Sequence, residues 1–165
     1  MKKLVISFVL LNLLVACASE KPKEPEAVAP APVVAAPETA PAPVVEVNPL
    51  NDPSNILSKR SVYFPFDVSA VQDADKPLVQ AHAKYLSEHP DRSVRLEGNA
   101  DERGSNEYNL ALGQRRADSV KKMLVLGGAK ASQIETVSFG EEKPVATGHD
   151  EASWSQNRRS DIKYN

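Results

Sequence analysis

Val94-Arg95-Leu96-Glu97-Gly98-Asn99-Ala100-Asp101-Glu102-Arg103-Gly104-Ser105 is the stretch on which the fold turns. Val94 and Leu96 alternate with polar neighbours, as a half-buried strand does, and the alternation stops at Gly98. A polar loop punctuated by Gly98 and Gly104 follows, and Ser105 is a good N-cap for what comes next. From there a pattern of helical period runs to Gly127-Gly128, a strong C-terminal stop. Strand, loop and long helix in that order imply a sheet with helices packed on it.

The same alternation extends to both sides. Residues 61–66 read as a strand, with Pro65 marking an edge or a bulge. Leu78, Val79, His82, Tyr85 and Leu86 recur at helical spacing, with Pro77 early in that helix and Pro90 just beyond it. Ile134, Val137 and Phe139 mark a third strand, residues 151–156 a short helix, and Ile162 lies in a last strand. The expectation is an α+β domain over residues 55–165, large enough for a single core.

Before residue 55 the chemistry changes. A basic start, Met1-Lys2-Lys3, an apolar run of about a dozen residues and the small residues before Cys17 read as a secretory signal. The run is too short for the ~20 residues a spanning helix needs. Leu14-Val15-Ala16-Cys17 resembles a bacterial lipobox, whose cysteine is lipidated after the chain is cut before it. Residues 1–16 are then the signal peptide, and two or more acyl chains on Cys17 make a stable membrane anchor. Ala18 follows, where an aspartate would resemble an inner-membrane retention signal, so the outer membrane is the expected destination, with the domain facing the periplasm. Cys17 is the only cysteine, which excludes a disulfide within the chain. Residues 17–54 read as a disordered Pro/Ala-rich tether: nine of the 13 prolines fall there, and such a segment buries too little surface to offset its ordering entropy. As polyproline II it would reach at most ~110 Å. Loss of Lys2 and Lys3 moves the formal charge from −2 to about −4. That balance argues against a nucleic-acid partner, which would favour a strongly basic face.

On a helical wheel, Leu110, Leu112, Gly113, Ala117, Val120 and Leu124 share one arc, which must face the core. Arg116 falls between Leu112 and Val120 on that side, and Arg115 at the solvent edge. A guanidinium aimed at a core needs an anionic partner or a lined cleft, because an unpaired buried charge is costly. Asp101 is the candidate to share it. The two residues either form a salt bridge that holds the loop down or flank one ligand. Arg116 lies ~15 Å along the helix, so the loop must fold back for either arrangement.

At these residues the chain resembles the OmpA-like domain family, and within it the peptidoglycan-associated lipoproteins. The resemblance covers residues 61–164 and rests on Val62-Tyr63-Phe64, Asn99-Ala100-Asp101-Glu102-Arg103-Gly104, Tyr108-Asn109, Leu112-Gly113, Arg115-Arg116-Ala117 and Asn157-Arg158-Arg159. It implies a mixed four-stranded sheet with helices packed on it. It also implies non-covalent binding of peptidoglycan through diaminopimelate of the stem peptide. Asp101 would then take the ligand's ammonium group and Arg116 its carboxylate, Asp67 would make a further contact, and Arg103 and Leu112 would line the site. The chemistry is consistent: diaminopimelate has a free zwitterionic centre, and arginine grips a carboxylate through two parallel hydrogen bonds. The resemblance further implies TolB and TolA of the Tol–Pal envelope system as partners. Two departures stand out: Asn99 replaces the family's usual histidine, and Phe64-Pro65-Phe66-Asp67 differs from the usual stretch before the aspartate.

Two rival functions have other signatures. A wall hydrolase would need two opposed carboxylates, which neighbours such as Asp101 and Glu102 do not readily provide. His82, His89 and His149 lack zinc-site spacing, so no metal or other cofactor is expected, and the reading is of a protein that is not an enzyme. The other rival is an envelope protein-interaction module in which Asp101 and Arg116 are structural.

Overall fold

The computed structural model describes residues 48–165. The signal, the lipobox with Cys17 and most of the Pro-rich stretch lie outside the described residues. The elements are β1 (Ser61–Tyr63), α1 (Lys76–Glu88), β2 (Val94–Asn99), α2 (Asn106–Leu126), β3 (Ile134–Gly140), α3 (Glu151–Asn157) and β4 (Arg159–Tyr164). Short 3₁₀ turns at Ile56–Ser58 and Ala131–Gln133 complete the path.

The four strands form one mixed sheet in the order β1-β4-β2-β3. β2 and β3 are parallel, joined by α2 as the crossover, and β4 runs antiparallel to both β1 and β2. One face of the sheet carries Val62, Leu96 and Ile162, all fully buried against Val79 and Leu86 of α1 and Val120 and Leu124 of α2. The core therefore lies between the sheet and these two helices. β1 is an edge strand, as Pro65 requires, and it is shorter than expected because proline has no N–H to extend the ladder. On its open side Tyr63 N–H donates to the Asp75 carboxylate at 3.1 Å, which occupies a donor that another strand could otherwise pair with.

The packed unit begins earlier than residue 55. Leu50 is buried with Leu57 and Tyr85 in a small second cluster, and Arg60 donates to the Leu50 carbonyl at 2.8 Å. His82 is fully buried and hydrogen-bonds to Tyr164 Oη at 2.9 Å and to the Lys59 carbonyl at 2.8 Å. Because a carbonyl only accepts, Nε2 carries the proton and Nδ1 accepts from the tyrosine. Burial pushes the imidazole below its ordinary 6.5, so it works as a neutral clip between α1, β4 and the segment before β1.

One close approach sets the register of α2 on the sheet. A Cβ on Gly98 would lie 1.9 Å from the Gly113 carbonyl oxygen, so β2 and α2 touch backbone to backbone there. That contact turns Leu112, Gly113, Arg116 and Ala117 inward. Leu110, placed on the core arc by the wheel, is 46% exposed. The first turns of α2 run beside the outermost strand, and Asn109 takes the inward position instead.

Candidate functional site

Beyond the carboxyl ends of β1 and β2, the loops fold back over α2 and enclose a cavity of about 280 Å³. Its walls include Asp67, Asp101, Arg103, Leu112 and Arg116, the five residues that the family resemblance implies for one site. Phe66 and Tyr108 line it as well.

Arg116 is fully buried, and its guanidinium donates to three main-chain carbonyls. Nε reaches Val68 O at 2.9 Å, Nη1 reaches Asn99 O at 2.8 Å and Nη2 reaches Pro65 O at 3.1 Å. The Phe64 ring lies 5.2 Å from the guanidinium carbon. These bonds tie the exits of β1 and β2 to the middle of α2, which is how the loops fold back along the helix. They use three of the five guanidinium donors, and no described carboxylate forms a salt bridge with it. Burial pushes its pKa down to about 10, which leaves it charged at neutral pH. The salt bridge between Asp101 and Arg116 is therefore not formed: the cation in the cavity wall is hydrogen-bonded only to main-chain dipoles, while the Asp101 and Asp67 carboxylates act on it from a distance.

Asp101 is 4% exposed and held by two other arginines. Its Oδ1 accepts from Arg103 N–H at 3.1 Å and Arg103 Nε at 3.4 Å. Its Oδ2 accepts from Arg103 Nη2 at 2.7 Å and Arg158 Nη1 at 3.2 Å. Burial pushes its carboxyl upward, but these hydrogen bonds together outweigh it and the group sits below its ordinary 3.8. Arg158, at the junction of α3 and β4, also donates to Phe64 O at 3.1 Å and to Glu151 Oε1 at 2.5 Å. The Asn157-Arg158-Arg159 motif had suggested no role for it, because its sequence distance from Asp101 hides the contact. Ala100 N–H donates to Gly140 O at 2.7 Å, which fixes the loop beside Asp101 to the end of β3.

Asp67 adopts φ = +54°, a left-handed conformation that aspartate tolerates better than bulky residues. Its carboxylate accepts from Tyr108 Oη and otherwise faces the cavity. Glu102 turns to the other side of the loop, where it accepts from Trp154 Nε1 at 2.8 Å and from His149 Nδ1 at 2.7 Å. The adjacent acids thus serve separate surroundings. Asn99 is buried, donating through Nδ2 to Glu97 O at 3.0 Å, with its Oδ1 unpartnered among the described residues. Among the described residues, no group of three or more His, Cys, Asp or Glu side chains is arranged to hold a metal ion.

A cavity that pairs a buried cation with two carboxylates suits a small zwitterion. The OmpA family model matches residues 63–158. The peptidoglycan-associated lipoprotein of Pasteurella multocida is 51% identical over 104 residues, spanning 63% of this chain and 69% of that protein. Its counterpart in Pseudomonas aeruginosa is 47% identical over 114 residues, spanning 69% and 67%. The crystal structure of the peptidoglycan-associated lipoprotein from Burkholderia pseudomallei is 58% identical, with a TM-score of 0.70, and aligns with 72% of this chain and all of that one. The C-terminal domain of Helicobacter pylori MotB, 20% identical with a TM-score of 0.60 over 65% of this chain and 84% of that one, shares the fold. These lipoprotein relatives are named for association with the wall and not for a reaction. From its motifs, its sheet and the matched region covering most of the domain, this chain belongs to the OmpA family, with the peptidoglycan-associated lipoproteins among its relatives.

Proposed function

We propose that the chain is an outer-membrane lipoprotein that binds peptidoglycan without covalent bonds, through the free end of diaminopimelate in the stem peptide. The Arg116 guanidinium supports this reading best: it is buried, charged, part of the cavity lining and without a carboxylate bonded directly to it among the described residues. A ligand carboxylate meeting its remaining donors would supply a directly bonded countercharge, while Asp67, and Asp101 once one of its arginines gives way, would accept from the ammonium group on the same carbon. Leu112 and Phe66 provide apolar surface for the methylene chain between the two ends of the diamino acid. In this reading lipidation of Cys17 fixes the chain to the outer membrane, the Pro-rich stretch before Leu50 spans to the wall, and the packed domain that begins there holds it. Such a chain anchors membrane to wall, and TolB and TolA of the Tol–Pal system are its proposed partners in the periplasm.

Co-sedimentation of the full-length chain in detergent with purified peptidoglycan tests the proposal. The chain should pellet with the wall and be released by free meso-diaminopimelate. Pelleting that resists saturating diaminopimelate would place the wall contact elsewhere.

A further inference from the structure

Asp101 has no room for an ammonium ion in the structure as it stands. A carboxylate offers about four acceptor positions, and all four are engaged: one by the Arg103 backbone, two by the Arg103 side chain and one by Arg158. The two arginines are not equivalent. The Arg158 side chain is 6% exposed and also bonded to Phe64 O and Glu151, so it is fixed. The Arg103 side chain is 32% exposed, and it lies in a slot between two rings, with its guanidinium carbon 4.2 Å from the centroids of both Phe66 and Trp154. A planar group stacked between two faces can slide in its own plane without losing either face. A second carboxylate waits in that direction: Glu151 Oε2 is 3.7 Å from Arg103 Nη2, on a side chain that is 63% exposed.

We infer that Arg103 is an internal stand-in for the ligand's ammonium group, occupying Asp101 in the free protein and passing to Glu151 when a primary ammonium arrives. Its departure frees one acceptor position on each oxygen of Asp101. The Arg103 backbone N–H and Arg158 Nη1 remain to hold the carboxylate in place. Arg103 is then a specificity residue. A ligand whose amine is acylated brings no cation to replace the one displaced, so the site selects stem peptides whose diaminopimelate amine is free and rejects those in which it is already cross-linked.

This inference rests on reading the cavity as a diaminopimelate site, and a double-mutant cycle separates the two. Binding of the tripeptide L-Ala-γ-D-Glu-meso-diaminopimelate is measured by calorimetry on the full-length chain in detergent, and on R103Q, E151Q and the double variant, each checked for folding by circular dichroism. R103Q should bind about threefold tighter and E151Q about threefold weaker, magnitudes typical of partly exposed ion pairs. E151Q should weaken binding less in the R103Q background, because the displaced guanidinium no longer needs a destination. The contact of Glu151 with Arg158 persists in both backgrounds, so a purely structural effect of Glu151 cancels in the cycle. Weaker binding by R103Q, or an equal effect of E151Q in both backgrounds, overturns the inference and leaves the site reading intact. Failure of the parent chain to bind the tripeptide overturns both.

Discussion

Arg116 and Asp101 border one cavity without pairing with each other. Asp101 is held by Arg103 and Arg158, and Arg116 by three carbonyls from the segments that leave β1 and β2. Opposite charges are thus fixed separately by the fold. A direct bridge between the two would have closed the space between them; without it, a ligand that carries both signs fits between Arg116 and an Asp101 that must first release one of its arginines.

Arg116→Lys is expected to damage the protein much more than Arg115→Lys, although both keep the charge. Lysine cannot reproduce a fork that reaches Val68, Asn99 and Pro65 at once, and the loss should amount to about 1.5–3 kcal/mol in wall binding. Arg115 is exposed, and its guanidinium carbon lies 5.7 Å from the centroid of the Tyr108 ring. Co-sedimentation with peptidoglycan compares the two variants, and equal losses would remove Arg116 from the binding account.

Asp101→Asn should lose both binding and stability. The partner that suffers is not Arg116 but Arg158, which is buried and retains only Glu151 as a carboxylate. Removing one charge of a buried pair costs up to about 3–5 kcal/mol, less here because asparagine still accepts a hydrogen bond. A urea midpoint unchanged from the parent would mean that Arg158 does not depend on Asp101.

Gly98→Ala tests how the site is positioned. Its new Cβ would meet the backbone oxygen of Gly113, which cannot rotate away, so α2 must lift from β2. The expected loss is about 3 kcal/mol, at the upper end for overpacking, with wall binding weakened further because Arg116 moves with the helix. Thermal unfolding and co-sedimentation on the same sample measure both.

His82 predicts a pH dependence. Its folded pKa is lowered by burial, so the unfolded chain takes up a proton more readily than the folded one. Stability should be full above the ordinary 6.5 and should fall as pH drops below 6.5 toward the lowered folded value. Urea midpoints across that range should decline for the parent and stay flatter for His82→Gln. A parent curve that is flat there would mean the clip tolerates a charged imidazole.

Much of this architecture is legible in local pattern. The alternation of Val94 and Leu96, the Ser105 cap and the Gly127-Gly128 stop locate β2 and α2 because each acts within a few residues. The wheel separates Arg116 from Arg115 for the same reason. It misplaces Leu110 because exposure there depends on where the sheet ends, which is a property of strand order. Arg158, Glu151 and Trp154 were not assigned to the site, since they reach it only when β4 inserts between β1 and β2 and carries α3 to the mouth of the cavity. The resemblance names Asp67 as a contact, but only the structure gives its left-handed backbone and its bond from Tyr108.

Recognition of a zwitterion is open to test with one pair of ligands. Calorimetry on the full-length chain compares a stem tripeptide ending in meso-diaminopimelate with the same tripeptide ending in lysine, which keeps the side-chain ammonium but lacks the carboxylate beside it. With Arg116 left unanswered, the lysine peptide should bind at least about tenfold more weakly, the equivalent of one lost charge-assisted hydrogen bond. Equal affinities for the two peptides would contradict the assignment of Arg116 to the ligand carboxylate.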